Sequence, residues 1–234
     1  MNEATPGALS TVWTLAAITL KRLLRGKALW IGLVIALLPV VFGVAVRGGR
    51  FHAKPDDVFT IQVLMLVILP AMFTGASLGE ELEDRTSACL WSRPIARWAL
   101  VAGKLCALAP IVVVLLVAGW SIAIEAAMQT LPTAANLVAL AAAGIATNLV
   151  AAGIATVVPR FAMVLSIGYM LVDLFIGGLP FSVDALSITW HARAMAVLAS
   201  GLPGPVFASP AIALALIAGV WTAIALLRIR RLEV

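Results

Sequence analysis

The chain has 234 residues, of which 63% are apolar and only 12% charged, with a formal net charge of +5. About a quarter of a soluble domain's residues are charged; here the few charges cluster between continuous apolar runs, which excludes a soluble enzyme, a disulfide scaffold and a disordered chain. The runs do not alternate, which argues against a transmembrane β-barrel, and the pI of 9.9 does not imply nucleic acid, because the cations sit at the ends of the runs where topology explains them.

Residues 1–27 read as a tail and an amphipathic segment. The stretch lacks the basic start and the small-residue cleavage site of a signal peptide, so no cleavage is expected. Over 9–25, Leu9, Val12, Trp13, Ala16, Leu20, Leu23 and Leu24 share one helical face. Thr11, Thr14, Lys21, Arg22 and Arg25 share the other, with Ile18 breaking it. A cationic face opposite an apolar face that carries Trp13 predicts a helix lying in the membrane interface, in contact with lipid. Gly26 then lets the chain turn. The alternative is one long tilted helix over 9–46 with a charged interruption.

Six apolar runs follow, at 28–46, 58–79, 104–124, 136–158, 162–180 and 208–227. Each is long enough for the hydrocarbon core at about 20 residues per crossing, and backbone in lipid must satisfy its own hydrogen bonds, so all six are predicted helices. The fold class is therefore all-α and polytopic, with a six-span domain over 28–234. Pro39, Pro70 and Pro110 fall within the first three spans and predict kinks. Ala142, Gly144, Ala146, Ala151, Gly153 and Ala155 make the fourth a close-packing helix. With the N-terminus inside, twelve Lys and Arg residues fall on the inner side and four on the outer, so both termini are expected in the cytoplasm. Cys89 and Cys106 then lie near the cytoplasmic face as free thiols.

The most informative inner segment is GEELEDRTSACLWSRPIARWALVAGK, residues 79–104. Glu80, Glu81, Glu83 and Asp84 come first, and Arg85, Arg93, Arg97 and Lys104 follow, an order that suits the dipole of a short helix. Four acids are unfavourable against an anionic leaflet, so a soluble protein partner is the better reading. The order Glu81, Glu83, Thr86, Leu90, Ser92, Pro94, Arg97 and Lys104 resembles the segment between spans two and three of type-2 ATP-binding-cassette (ABC) transporter permeases. Arg85 stands where that family usually has glycine. The interfacial helix, the six spans and the inside termini match the family as well.

That resemblance implies a half-transporter, mostly an exporter, built from two identical or sister permeases around one pathway. Residues 79–98 would be a coupling helix in a groove of a separate cytoplasmic ATPase, with ATP and Mg bound there and no cofactor in this chain. No G-x-x-x-x-G-K-[ST] motif occurs, and Gly103-Lys104 is followed by Leu105. A cell (inner or plasma) membrane, of bacterial origin, is the expected location.

Asp173 is the one acid well inside a span, which makes it a pathway or gating candidate. The plainer reading is a bond to Tyr169, Thr156 or Asn148. Residues 181–207 are too polar to span and too apolar for a simple loop. Trp190, His191 and Arg193 there, with Asp184, suggest an external gate by resemblance, or equally an interfacial helix anchored by Trp190. His52 and His191 occupy different outer loops without a carboxylate four residues on, so no metal site is expected. No catalytic residue is assigned: Ser92 and Thr86 have no cytoplasmic histidine as base. An integral-membrane enzyme acting on a lipid-linked substrate would need several Asp, His or Ser–Lys groups at one depth. A non-transporting scaffold stays open.

Overall fold

The computed structural model describes residues 7–49, 54–83, 98–177, 186–198 and 205–231. All regular structure among them is helical, and six segments are long and apolar enough to cross a membrane. The protein is an all-α polytopic membrane protein, as its composition predicts.

Helix α1 (Ala8–Arg25) ends at Gly26, which is extended (φ −86°, ψ 158°), and α2 (Lys27–Ala36) starts on a new axis. One continuous helix over 9–46 does not form. The apolar face of α1 divides in two. Val12 and Ala16 are buried against the bundle, while Leu9, Trp13, Leu20 and Leu24 remain exposed.

Span one (Lys27–Arg47) is interrupted at Leu37, and α3 (Leu38–Arg47) restarts with Pro39 in its first turn, where a missing N–H costs nothing. Span two (Asp57–Glu83) takes in α4 (Pro55–Pro70) from its third residue, a π-helical turn (Ala71–Gly75) and α5 (Ala76–Glu83). The wide turn follows Pro70, which lacks the donor that a regular turn needs.

Span three, α6 (Trp98–Met128), runs through Pro110 and begins six residues before the predicted 104. Its 31 residues reach about 46 Å, more than the roughly 30 Å core. Span four, α7 (Ala134–Val157), is capped by Thr133, whose Oγ1 accepts from the Asn136 N–H at 3.4 Å. A 3₁₀ turn (Pro159–Phe161) leads into α8 (Ala162–Ile176) in span five, and α9 (Ile188–Leu198) and α10 (Pro205–Arg231), the sixth span, follow.

Small residues set the packing. A Cβ on Gly43 would stand 2.5 Å from the Ala123 carbonyl oxygen, and one on Gly119 2.5 Å from that of Ala36, so α3 and the end of α2 touch α6 backbone to backbone. Gly153 admits the Trp221 ring of α10 in the same way, which places α7 inside the bundle, as its small residues predict. Polar groups pair across helices: Gln62 Nε2 donates to the Leu116 carbonyl (2.7 Å), and Thr74 Oγ1, in the π-turn, to Asn148 Oδ1 (2.5 Å). Around them Leu66, Leu69, Leu116, Trp120 and Leu140 form the buried apolar centre.

Candidate functional site

The functional candidates occupy opposite ends of the bundle, and span five runs between them. At the basic end, α5 leads into residues 84–97 and α6 leads out. The Lys104 ammonium lies nearly two turns into α6, almost fully buried, and joins the two sides. It forms an ion pair with Glu81 Oε1 (2.9 Å) and donates to the Ser77 hydroxyl (2.9 Å) and the Ser77 carbonyl. Ser77 and Glu81 stand four apart on α5 and so face the same way. A buried ammonium is tolerated only with such partners. The chain therefore enters and leaves 84–97 through one braced junction.

Helix α1 presses on that junction. A Cβ on Gly103 would lie 2.8 Å from Leu15 Cβ and 3.0 Å from the Val12 carbonyl oxygen, so α1 crosses α6 one residue before Lys104. Trp13, Lys21, Arg22 and Arg25 all stay exposed on α1. Arg22 faces a cavity that it shares with Lys27 and Glu80. Glu83 is exposed at the last residue of α5. Thr86, Leu90, Pro94 and Arg97 lie outside the described residues, as does Cys89; Cys106 is a free, exposed thiol.

Span five packs on the same junction from the other side. A Cβ on Gly79 would meet the Pro159 carbonyl oxygen at 2.6 Å, and one on Gly75 would meet Ser166 Oγ at 3.3 Å. Any displacement of α5 therefore bears directly on α8.

The far end of α8 carries Asp173, which is buried. Its carboxylate does not bond Tyr169, Thr156 or Asn148 as the plainer sequence reading has it; it caps α9. Oδ1 accepts the Ile188 N–H (2.7 Å), and Oδ2 accepts the Thr189 N–H (3.0 Å) and the Ser187 hydroxyl (3.2 Å). Ser187 Oγ in turn accepts the Trp190 N–H at 3.1 Å. A carboxylate on these donors satisfies the first turn of α9 and suits its dipole. Asn148 is engaged by Thr74, and the Thr156 hydroxyl donates to the Gly153 carbonyl (2.7 Å).

Helix α9 packs into the bundle against α7 and α10, with Ile188, His191, Ala192 and Met195 buried. A plain interfacial helix anchored by Trp190 is not what forms. The Trp190 and His191 rings meet edge to face at 4.9 Å, and Arg193 is half-buried beside them in the chain. Next to Asp173 a largely apolar cavity of about 470 Å³ opens between α8 and α10, with Tyr169 and Trp221 in its wall.

Sequence reasoning missed Ser77, Gly79, Gly103, Ser187 and Thr189. Two signals were readable: Ser77 at four residues before Glu81, and Ser187 ahead of an apolar run as a helix start.

A family model described as ABC-2 family transporter protein matches residues 45–186, more than half of the chain. Comparison with curated proteins gives no match. The matched stretch contains the Glu81–Lys104 junction, span five and Asp173. The chain thus belongs to the ABC-2 family of transporter proteins, as a membrane-spanning permease.

Proposed function

We propose that the chain is the permease half of an exporter that works as a pair, of two copies or of this chain with a sister, and is driven by a separate cytoplasmic ATPase that binds ATP and Mg. Residues 1–27 form the tail and interfacial elbow, and 28–234 the permease domain. The basic end and both termini face the cytoplasm of a bacterial inner membrane. Residues 79–98 dock on the ATPase through Glu83, Thr86, Leu90, Pro94 and Arg97, and Glu81 with Lys104 brace the docking segment to the bundle.

The observation that carries this reading is the Lys104 bridge to Glu81 and Ser77, which ties α5, ahead of 84–97, to α6 behind it. A push on a loosely held loop would dissipate. A push on this junction reaches α8 through Gly79 and Pro159, and reaches α9 through the Asp173 cap. Small shifts at one end then favour one of two discrete packings at the other. In this scheme Asp173, Trp190, His191 and Arg193 form the external gate. The apolar cavity beside them supports an amphipathic or lipidic cargo. Asp173 is fully engaged as a helix cap, which counts against an enzyme with that residue as its acid.

The test is reconstitution of the chain with a P-loop ATPase partner and ATP-dependent transport across a cargo panel. Charge reversal at Glu83 and Arg97 together is expected to abolish stoichiometric ATPase capture. Capture at the wild-type level would remove the docking assignment.

A further inference from the structure

The bend at Gly26 leaves a cavity of about 230 Å³ between α1, the start of α2 and the inner half of span two. That is below the roughly 300–1,000 Å³ of a site for a whole small molecule, and suits a headgroup. Its wall divides by chemistry. Met72 and Phe73 make an apolar floor; Arg22, Lys27, Glu80 and Ser77 line the polar side. Among the described residues of the lining, Glu80 is the one acid beside two cations. Among the described residues neither Arg22 nor Lys27 forms an ion pair. Ser77 Oγ accepts from Lys104, which leaves its O–H to donate. The first turn of α2 has no side-chain cap, and its N–H groups add donors beside the two cations.

We propose that this cavity binds the phosphate group of an anionic phospholipid, with Arg22 and Lys27 as the cationic contacts. The assignment rests on the proposed reading in which α1 lies along the cytoplasmic leaflet. Leu23, half-buried, and Ala28, exposed, form an apolar part of the same lining, so acyl chains can leave the cavity over them while the phosphate stays inside. A basic recess at this depth joins the two things a phospholipid needs, a cationic end and an apolar exit. Free phosphate shares only the first. Bound lipid would hold α1, the Gly26 bend and span two together beside the Lys104 junction.

The test uses the purified full chain in neutral detergent, with native mass spectrometry to count bound phosphatidylglycerol or phosphatidylcholine, and inorganic phosphate and glycerol 3-phosphate as soluble competitors. Phosphatidylglycerol is expected to bind preferentially, without displacement by either competitor. At about fivefold per charge, Arg22→Gln with Lys27→Gln should weaken it about 25-fold, and Arg22→Lys with Lys27→Arg should retain it. Lys21→Gln with Arg25→Gln removes equal charge from the same region outside the cavity lining and should change it less than about twofold. All four side chains are exposed, so the variants should fold. Equal losses in the two neutral pairs, or none in either, would overturn the site; displacement by soluble phosphate would overturn the lipid. No ATPase or nucleotide is present, so failure here leaves the transport reading standing, and failed transport leaves this measurement intact.

Discussion

Lys104 and Glu81 are unequal partners, and the inequality is measurable. The Lys104 side chain is 3% exposed and that of Glu81 26%. Removing the acid leaves a buried ammonium with neutral acceptors alone, Ser77 among them; removing the base lets the carboxylate regain water. Glu81→Gln should therefore destabilise the protein by about 3 kcal/mol, and Lys104→Met by about 1 kcal/mol, read as thermal unfolding in detergent. At Asp173 three donors converge on two carboxylate oxygens. Asp173→Asn puts an amide N–H against one of them and should cost about 1–3 kcal/mol, with faster hydrogen exchange at the Ile188 and Thr189 amides. Unchanged exchange there would contradict the cap. Sequence marks Asp173 as a charge in an apolar run, and Glu81 and Lys104 only through the resemblance of 79–104 to the permease segment. It did not supply their partners. Ser187, Ile188 and Thr189 lie 14, 15 and 16 residues from Asp173, separations that no helical spacing rule pairs.

At the level of helices, glycine positions separate contact from empty space. Gly43→Ala and Gly119→Ala each drive a methyl against a backbone carbonyl, and should cost about 1–3 kcal/mol and weaken the seam between spans one and three. Gly168 and Gly219 have nothing within 4 Å of a Cβ, so alanine there should be neutral or stabilise by up to about 1 kcal/mol through helix propensity. Thermal unfolding of the four single variants checks the contrast. The spans themselves were readable because lipid demands about 20 apolar residues in a self-satisfied helix. The start of span three was not: Lys104 looks like an edge to any rule that penalises charge, and only its bond to Glu81 allows it inside. The π-turn after Pro70 and the burial of α9 were equally hidden. Pro70 predicts a kink but not its π form, and the burial of α9 depends on its neighbours α7 and α10.

Across the whole molecule, the two candidate sites are joined by close packing rather than by one long polar chain. The route runs from the braced junction at Lys104, through the carbonyl of Pro159 against Gly79, along α8 to Asp173 and the first turn of α9. Such a route transmits only if both junctions hold, so breaking the first should isolate the second without unfolding it. The direct measurement is the rate of thiol labelling at a single cysteine in place of Trp190, in a Cys89→Ser, Cys106→Ser background, in proteoliposomes that hold the chain with its ATPase. ATP turnover should change that rate in the parent, and Glu81→Gln should abolish the change while ATP hydrolysis continues. A rate indifferent to ATP in the parent, or a full response in Glu81→Gln, would contradict the proposed transmission.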